Sequence, residues 1–119
     1  MASRGTVGII STGRALPVGR VLNSDLEKIV DTSEQWIRTR TGIEERRIIS
    51  GDETCSGLAV AAAQTALDRA ALRPEDIELL IVATVTPDQP LPSASCLVQA
   101  RLNTCNAAAF DLAAGCTGF

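Results

Sequence analysis

The run LLIVATV, residues 79–85, constrains the fold more than any other feature of the chain. It is apolar on both faces, β-branched, and closed by the prolines at 87, 90 and 92. A strand solvated on one side would alternate; a continuous run suits a central parallel strand covered on both faces. A second apolar run, residues 107–112, follows after a segment with helical spacing from Ser93 to Leu102. Strand, helix, strand in that order predicts an α/β layered fold with a mainly parallel sheet. With 3% aromatic residues and no Tyr, the core must be built from Ala, Val, Leu and Ile. A length of 119 residues suits one domain, with 45% hydrophobic and 21% charged residues as in globular proteins. No internal repeat, linker or low-complexity segment breaks it.

The remaining elements follow from local chemistry. Val7 to Ser11 reads as a strand ended by Gly13 and Pro17. Ser24 and Glu27 have the form of a capping box and predict a short helix through Val30. Thr32 and Gln35 repeat that form, predicting a helix to about Arg40 that ends at Gly42 in the left-handed conformation. Thr54 is placed to cap a helix from Cys55 to about Leu72, so rich in Ala that burial on more than one side is expected. Pro74-Glu75-Asp76 reads as a turn, and the strand in the opening run is taken as Ile77 to Thr86. Ser93 is placed to cap the next helix. From Ala113 the chain should turn into a further helix.

Cys116 lies in that turn, flanked by Ala113, Ala114, Gly115 and Gly118. Small flanks let a backbone turn sharply at a strand end, as in the nucleophile elbow of hydrolases. At a helix amino end, a thiol would have its thiolate favoured by the helix dipole, and backbone N–H groups nearby could serve as an oxyanion hole. The residues alone equally allow Cys116 to be a small buried packing residue. Cys55, Cys96 and Cys105 lack such a setting and are expected to be buried and structural.

In DTSEQWIRTRTGIEERR, residues 31–47, Trp36 and Arg40 are four apart and share a helix face. A flat aromatic beside a guanidinium can sandwich a purine, with Arg46 and Arg47 within reach of phosphates. The competing reading is a packing Trp overlaid by Arg40, with the other arginines paired to Glu44 and Glu45 at the surface.

Net charge is −3, too small to imply a partner, and nothing points to nucleic acid. No apolar run approaches a membrane span and the first residues lack a signal peptide, so a cytoplasmic protein without a membrane partner is expected. The four cysteines include no CxxC pair and the chain has no His, so no metal site and no disulfide framework are expected.

Three segments together resemble the N-terminal part of the β-ketoacyl-acyl-carrier-protein synthase III family: NSDLEKIVDTSEQWIRTRTGIEERR (23–47), LLIVATVTPDQPLPSASCLVQARL (79–102) and AAAFDLAAGCTGF (107–119). The W-I-x-x-R-T-G-I stretch and the F-D-x-x-A-x-C-x-G-F elbow carry most of the specificity. The resemblance implies a thiolase-like fold of two related halves in a layered αβαβα sandwich, with this chain as an incomplete part of the N-terminal half. It implies initiation of fatty-acid synthesis: an acyl-CoA acylates the cysteine, and malonyl-acyl carrier protein is then decarboxylated and condensed with the bound acyl group. By position it makes Cys116 the nucleophile and Trp36 the residue that stacks on the adenine of CoA. Arg40 becomes a neighbouring CoA contact, and Thr32 and Thr41 lesser ones. Leu91 falls where the family reaches across a homodimer interface into the partner's acyl pocket, and leucine leaves the chain-length preference open.

No cofactor is implied, with CoA entering as part of the substrate. Arg46 and Arg47 are candidates for a basic patch facing the acidic carrier protein. The family also needs a His and an Asn, and Asn23, Asn103 and Asn106 do not match that motif. The chain is therefore expected to be a fragment, inactive and unstable alone. Two alternatives remain: a condensing or acyl-transfer enzyme of secondary metabolism with the same fold, and a non-catalytic acyl-binding subunit.

Overall fold

The computed structural model describes residues 7–119. They form two compact units: Leu16–Glu53, and a larger unit in which residues 7–15 join Thr54–Phe119.

In the smaller unit, strands β1 (Gly19–Leu22) and β2 (Glu45–Ile48) pair antiparallel, with Gly19 opposite Ile48 and Leu22 opposite Glu45. Neither strand was expected from sequence, because four residues rich in arginine and glutamate carry little apolar alternation. The register sets Arg20 directly against Arg47. Glu45 relieves this like-charge pair: it bonds Arg20 and lies 3.4 Å from Arg47 Nε. Between the strands run α1 (Asn23–Leu26) and α2 (Glu34–Thr41). Both start differently from the expectation. At α1, Asp25 turns back to accept the Leu22 N–H at 3.1 Å, so the helix begins at Asn23 and only turns continue to Val30. At α2, Ser33 rather than Thr32 caps, accepting the Trp36 N–H at 3.1 Å. Gly42 ends α2 at φ +71° as expected. Asn23, almost wholly buried, ties the unit together: its amide donates to the Ile43 carbonyl at 2.8 Å and its oxygen accepts from Arg46.

The larger unit is built on β3 (Leu79–Ala83) and β4 (Ala108–Leu112), parallel and in register from Leu79↔Ala108 to Ala83↔Leu112. Helix α4 (Ala94–Leu102) crosses between them and packs on both strands and on α3 (Cys55–Ala70). Ala94, Val98 and Leu102, spaced four apart on one face of α4, are buried with Leu67 and Ala107. Both helices start where the sequence expects. The Thr54 Oγ1 accepts the Gly57 N–H at 3.0 Å, and the Ser93 hydroxyl accepts the Cys96 N–H. A 3₁₀ turn occupies Pro74–Asp76.

Three expectations need correction here. The sheet is not mainly parallel: each unit holds a two-stranded sheet, one antiparallel and one parallel. Residues 7–11 form no strand, because among the described residues they join no ladder. Instead Gly8, Ile9, Ile10 and Ser11 border an apolar cleft of about 460 Å³ lined also by α3 and β3. The Ser11 hydroxyl reaches the Ala66 carbonyl at 2.7 Å. Among the described residues helix α3 buries only Ser56 and Leu67 fully; its alanines are half-covered, or exposed at Ala61, rather than enclosed on several sides.

Candidate active site

The strand β4 delivers the chain to Cys116. After Leu112 the small residues Ala113 and Ala114 lead into a single 3₁₀ turn, Gly115–Gly118, and Gly115 adopts φ +56°. Within the described residues the turn expected from Ala113 takes this 3₁₀ form. The turn folds back on the sheet: a Cβ on Gly118 would lie 3.4 Å from the Leu112 carbonyl oxygen and 3.7 Å from Ala83 Cβ. The Thr117 hydroxyl closes it further on the Ala114 carbonyl at 2.7 Å. Cys116 itself is exposed. All four cysteines are free, and Cys96 and Cys105 are also exposed, against the expectation that they would be buried; only Cys55 is partly covered. Cys96 and Cys105 lie at polar positions, beside Ser93 and Asn106 respectively.

Ahead of the elbow, one carboxylate ties the middle of the loop from Thr84 to Ser93 to α3, and another holds the start of α4 just after it. Asp88 accepts the Ser56 N–H at 3.0 Å and its hydroxyl, at the amino end of α3. Arg101 donates to the same Ser56 oxygen at 3.1 Å. Asp111, on β4, accepts the Ala94 N–H at 2.9 Å and the Ser95 N–H at 2.7 Å, at the amino end of α4. Ser56 hydroxyl donation leads in holding Asp88 below its ordinary value of 3.8, against some desolvation. At Asp111 desolvation pushes upward most, yet the Ser95 and Ala94 donors together bring the carboxyl below 3.8. Leu91, on this loop, is 84% exposed. Neither aspartate was singled out from sequence; the available signal was Asp111 within F-D-x-x-A-x-C.

In the smaller unit Trp36 stands on α2 and is 58% exposed. It shares a cleft of about 330 Å³ with Asp31, Thr32 and Ser33. Thr32, displaced as the helix cap, is thereby placed with Trp36. Arg40 lies exposed one turn further along α2. Thr41 is engaged: its hydroxyl donates to the Ile37 carbonyl at 2.7 Å and accepts the Ile43 N–H at 3.1 Å. Arg38 pairs with Glu44 at 3.2 Å. Arg47 donates to the Pro17 carbonyl at 3.1 Å, and Arg46 is held by Asn23, not by a glutamate.

No protein-family model matches the chain. Individual proteins do. The β-ketoacyl-[acyl-carrier-protein] synthase III of Caldanaerobacter subterraneus is 53% identical over 119 residues, all of this chain and 36% of that protein. The crystal structure of 3-oxoacyl-[acyl-carrier-protein] synthase III from Aquifex aeolicus superposes with TM-score 0.87 at 53% identity, covering 93% of this chain and 36% of that one. Over the segment it spans, the chain is similar to β-ketoacyl-acyl-carrier-protein synthase III sequences along its own length. It spans about a third of the length of these synthase III relatives. Its mixed α/β units are therefore part of the thiolase fold of synthase III. A priming β-ketosynthase from a polyketide pathway is also similar, with TM-score 0.86 at 39% identity over 93% of this chain and 33% of that one. Among the described residues no group of His, Cys, Asp and Glu could hold a metal ion, and no helix is long and apolar enough to cross a membrane.

Proposed function

We propose that this segment carries the nucleophile and part of the CoA grip of a β-ketoacyl-acyl-carrier-protein synthase III. The thiolate of Cys116 attacks the carbonyl carbon of an acyl-CoA; the C–S bond to CoA breaks and CoA leaves as its thiolate, which takes a proton from water. Malonyl-acyl carrier protein then loses CO₂, and the resulting carbanion attacks the Cys116 thioester, expelling the thiolate and giving β-ketoacyl-acyl carrier protein. An acyl-enzyme divides one difficult carbon–carbon bond formation into two steps. Holding both thioesters in one site replaces a rare encounter with a positioned one.

The carrying observation is Cys116, exposed on a glycine-bounded turn at the carboxyl end of a parallel strand, in a chain that matches synthase III relatives along its whole length. Trp36 and Thr32 are assigned to the adenine of CoA, Arg40 to a polar contact beside it, and Thr41 to a backbone contact at most. Leu91 is assigned to the acyl pocket of a homodimer mate. Arg46 and Arg47 are weaker candidates for the carrier protein, since both already hold partners within their own unit. The proposed setting is the cytoplasm, with no cofactor beyond the CoA of the substrate.

Mass mapping of the full-length protein after incubation with acetyl-CoA tests this. Label on Cys116, lost in Cys116→Ala with activity down about 10³-fold or more, is the expected result. Label on another side chain overturns it. Trp36→Ala and Arg40→Ala should each raise KM for acyl-CoA about 10-fold with kcat little changed, because stacking and charge contacts act equally on bound substrate and transition state. The polyketide priming enzyme's similarity favours a second reading, a condensing enzyme of secondary metabolism. A panel of starter acyl-CoAs with malonyl-acyl carrier protein separates the two.

A further inference from the structure

The Cys116 thiol has no hydrogen bond of its own among the described residues, so its position is inherited from the backbone that delivers it. That backbone leaves β4 at Leu112, and β4 has one ladder partner among the described residues, β3. Near the end of β4, the Asp111 side chain turns to the start of α4. Its two oxygens accept the N–H groups of Ala94 and Ser95, both wholly buried at the amino end of α4. These are helix-start donors with no partner inside their own helix, and the carboxylate satisfies two of them at once. Helix α4 is in turn anchored by buried Ala94, Val98 and Leu102. Asp111 therefore references the end of β4 to the core, five residues before the thiol.

We propose that Asp111 is the positioning residue for Cys116, tying the strand that carries the thiol to the amino end of α4. The proposal rests on the reading of Cys116 as the acyl acceptor, and it adds the group that sets where that acceptor stands. Asp88 is the internal contrast: it accepts the Ser56 N–H and hydroxyl at the start of α3, holds the Thr84–Ser93 loop, and among the described residues makes no hydrogen bond to β4. Loss of either carboxylate removes one helix cap; only loss of Asp111 releases the elbow.

The test compares Asp111→Ala, Asp111→Asn and Asp88→Ala in the full-length protein. Two rates are read: single-turnover acylation of Cys116 by acetyl-CoA, with its KM, and alkylation of Cys116 by iodoacetamide followed by peptide mapping. Asp111→Ala should slow acylation about 10- to 100-fold, with KM within about threefold, since displacing a nucleophile acts on the chemical step. Its alkylation rate should depart from the parent by at least about threefold. Asp111→Asn keeps one acceptor and should lose about fivefold in acylation, while Asp88→Ala should stay within about twofold on both rates. Parental rates in folded Asp111→Ala, or equal losses in Asp88→Ala, overturn the proposal. Where Asp111→Ala does not fold, Asp111→Asn decides: parental rates overturn, and a selective acylation loss supports. If the parent takes no acyl group yet its alkylation depends on Asp111 and not on Asp88, the positioning role stands and the acyl-transfer reading falls.

Discussion

A Cβ at Gly13 would run into the carbonyl oxygen of Ala62 and come within 2.8 Å of the Ala66 nitrogen, both backbone atoms of α3. Neither can move without breaking the helix ladder, so Gly13→Ala should destabilise the full-length protein by about 2 kcal/mol, read as a lower urea midpoint. Gly42 makes a different demand. Its Cβ would meet no atom within 4 Å, but its φ of +71° lies in the left-handed region that closes α2. Gly42→Ala should therefore cost only about 1 kcal/mol, all of it conformational. A glycine that merely punctuates a loop would predict equal and negligible losses at both sites; a twofold difference in the midpoint shifts separates the two causes.

Each long helix begins on a side-chain acceptor, and those acceptors lead outward to the loop before the elbow. Thr54 caps α3 at 3.0 Å, and its hydroxyl also lies 3.4 Å from that of Ser56, which Asp88 holds. Thr54→Ala should cost about 1 kcal/mol of stability, checked by denaturant midpoint. The carboxylates also make the elements acid-sensitive. Asp88, through the Ser56 hydroxyl, and Asp111, where the Ser95 and Ala94 donors outweigh desolvation, both sit below 3.8 when folded. A depressed folded value adds stability above the unfolded value, and that contribution is lost as pH falls through the folded one. Stability of the full-length protein should fall as pH drops below about 4, and Asp88→Asn should flatten the fall. A denaturant series from neutral to acid pH would show an unchanged slope if the Asp88 contact contributes nothing.

In the larger unit large apolar side chains are left open: Leu79, Ile81 and Phe110 on the parallel sheet are each about half exposed, and Ile9 and Ile10 far more. Thr104 Oγ1 is buried with no hydrogen-bond partner among the described residues, beside the cleft that Ile9 and Ile10 border. Two strands per sheet are too few to hold such faces dry. The isolated 119-residue chain should accordingly lack a cooperative thermal transition and should bind hydrophobic dye. A sharp calorimetric peak from the purified chain would refute this.

Local chemistry was readable wherever one side chain and its near neighbours decide the outcome. The caps at Thr54 and Ser93, the left-handed stop at Gly42, the strand in LLIVATV and the turn at Cys116 each depend on interactions within a few residues, and each lies where the residues place it. The acyl-transfer proposal likewise rests on a resemblance carried by short motifs. What stayed hidden depends on partners distant along the chain. β1 and β2 hold together through a ladder closed across more than twenty residues and through a glutamate shared by two arginines. Residues 7–11 have the composition of a strand, but a strand exists only where a ladder partner is present. Asp111 reaches back sixteen and seventeen residues to the start of α4. Composition assigns each residue its capacity to bond or bury; only the folded chain chooses the distant partner, because that choice is made by the packing of elements against one another.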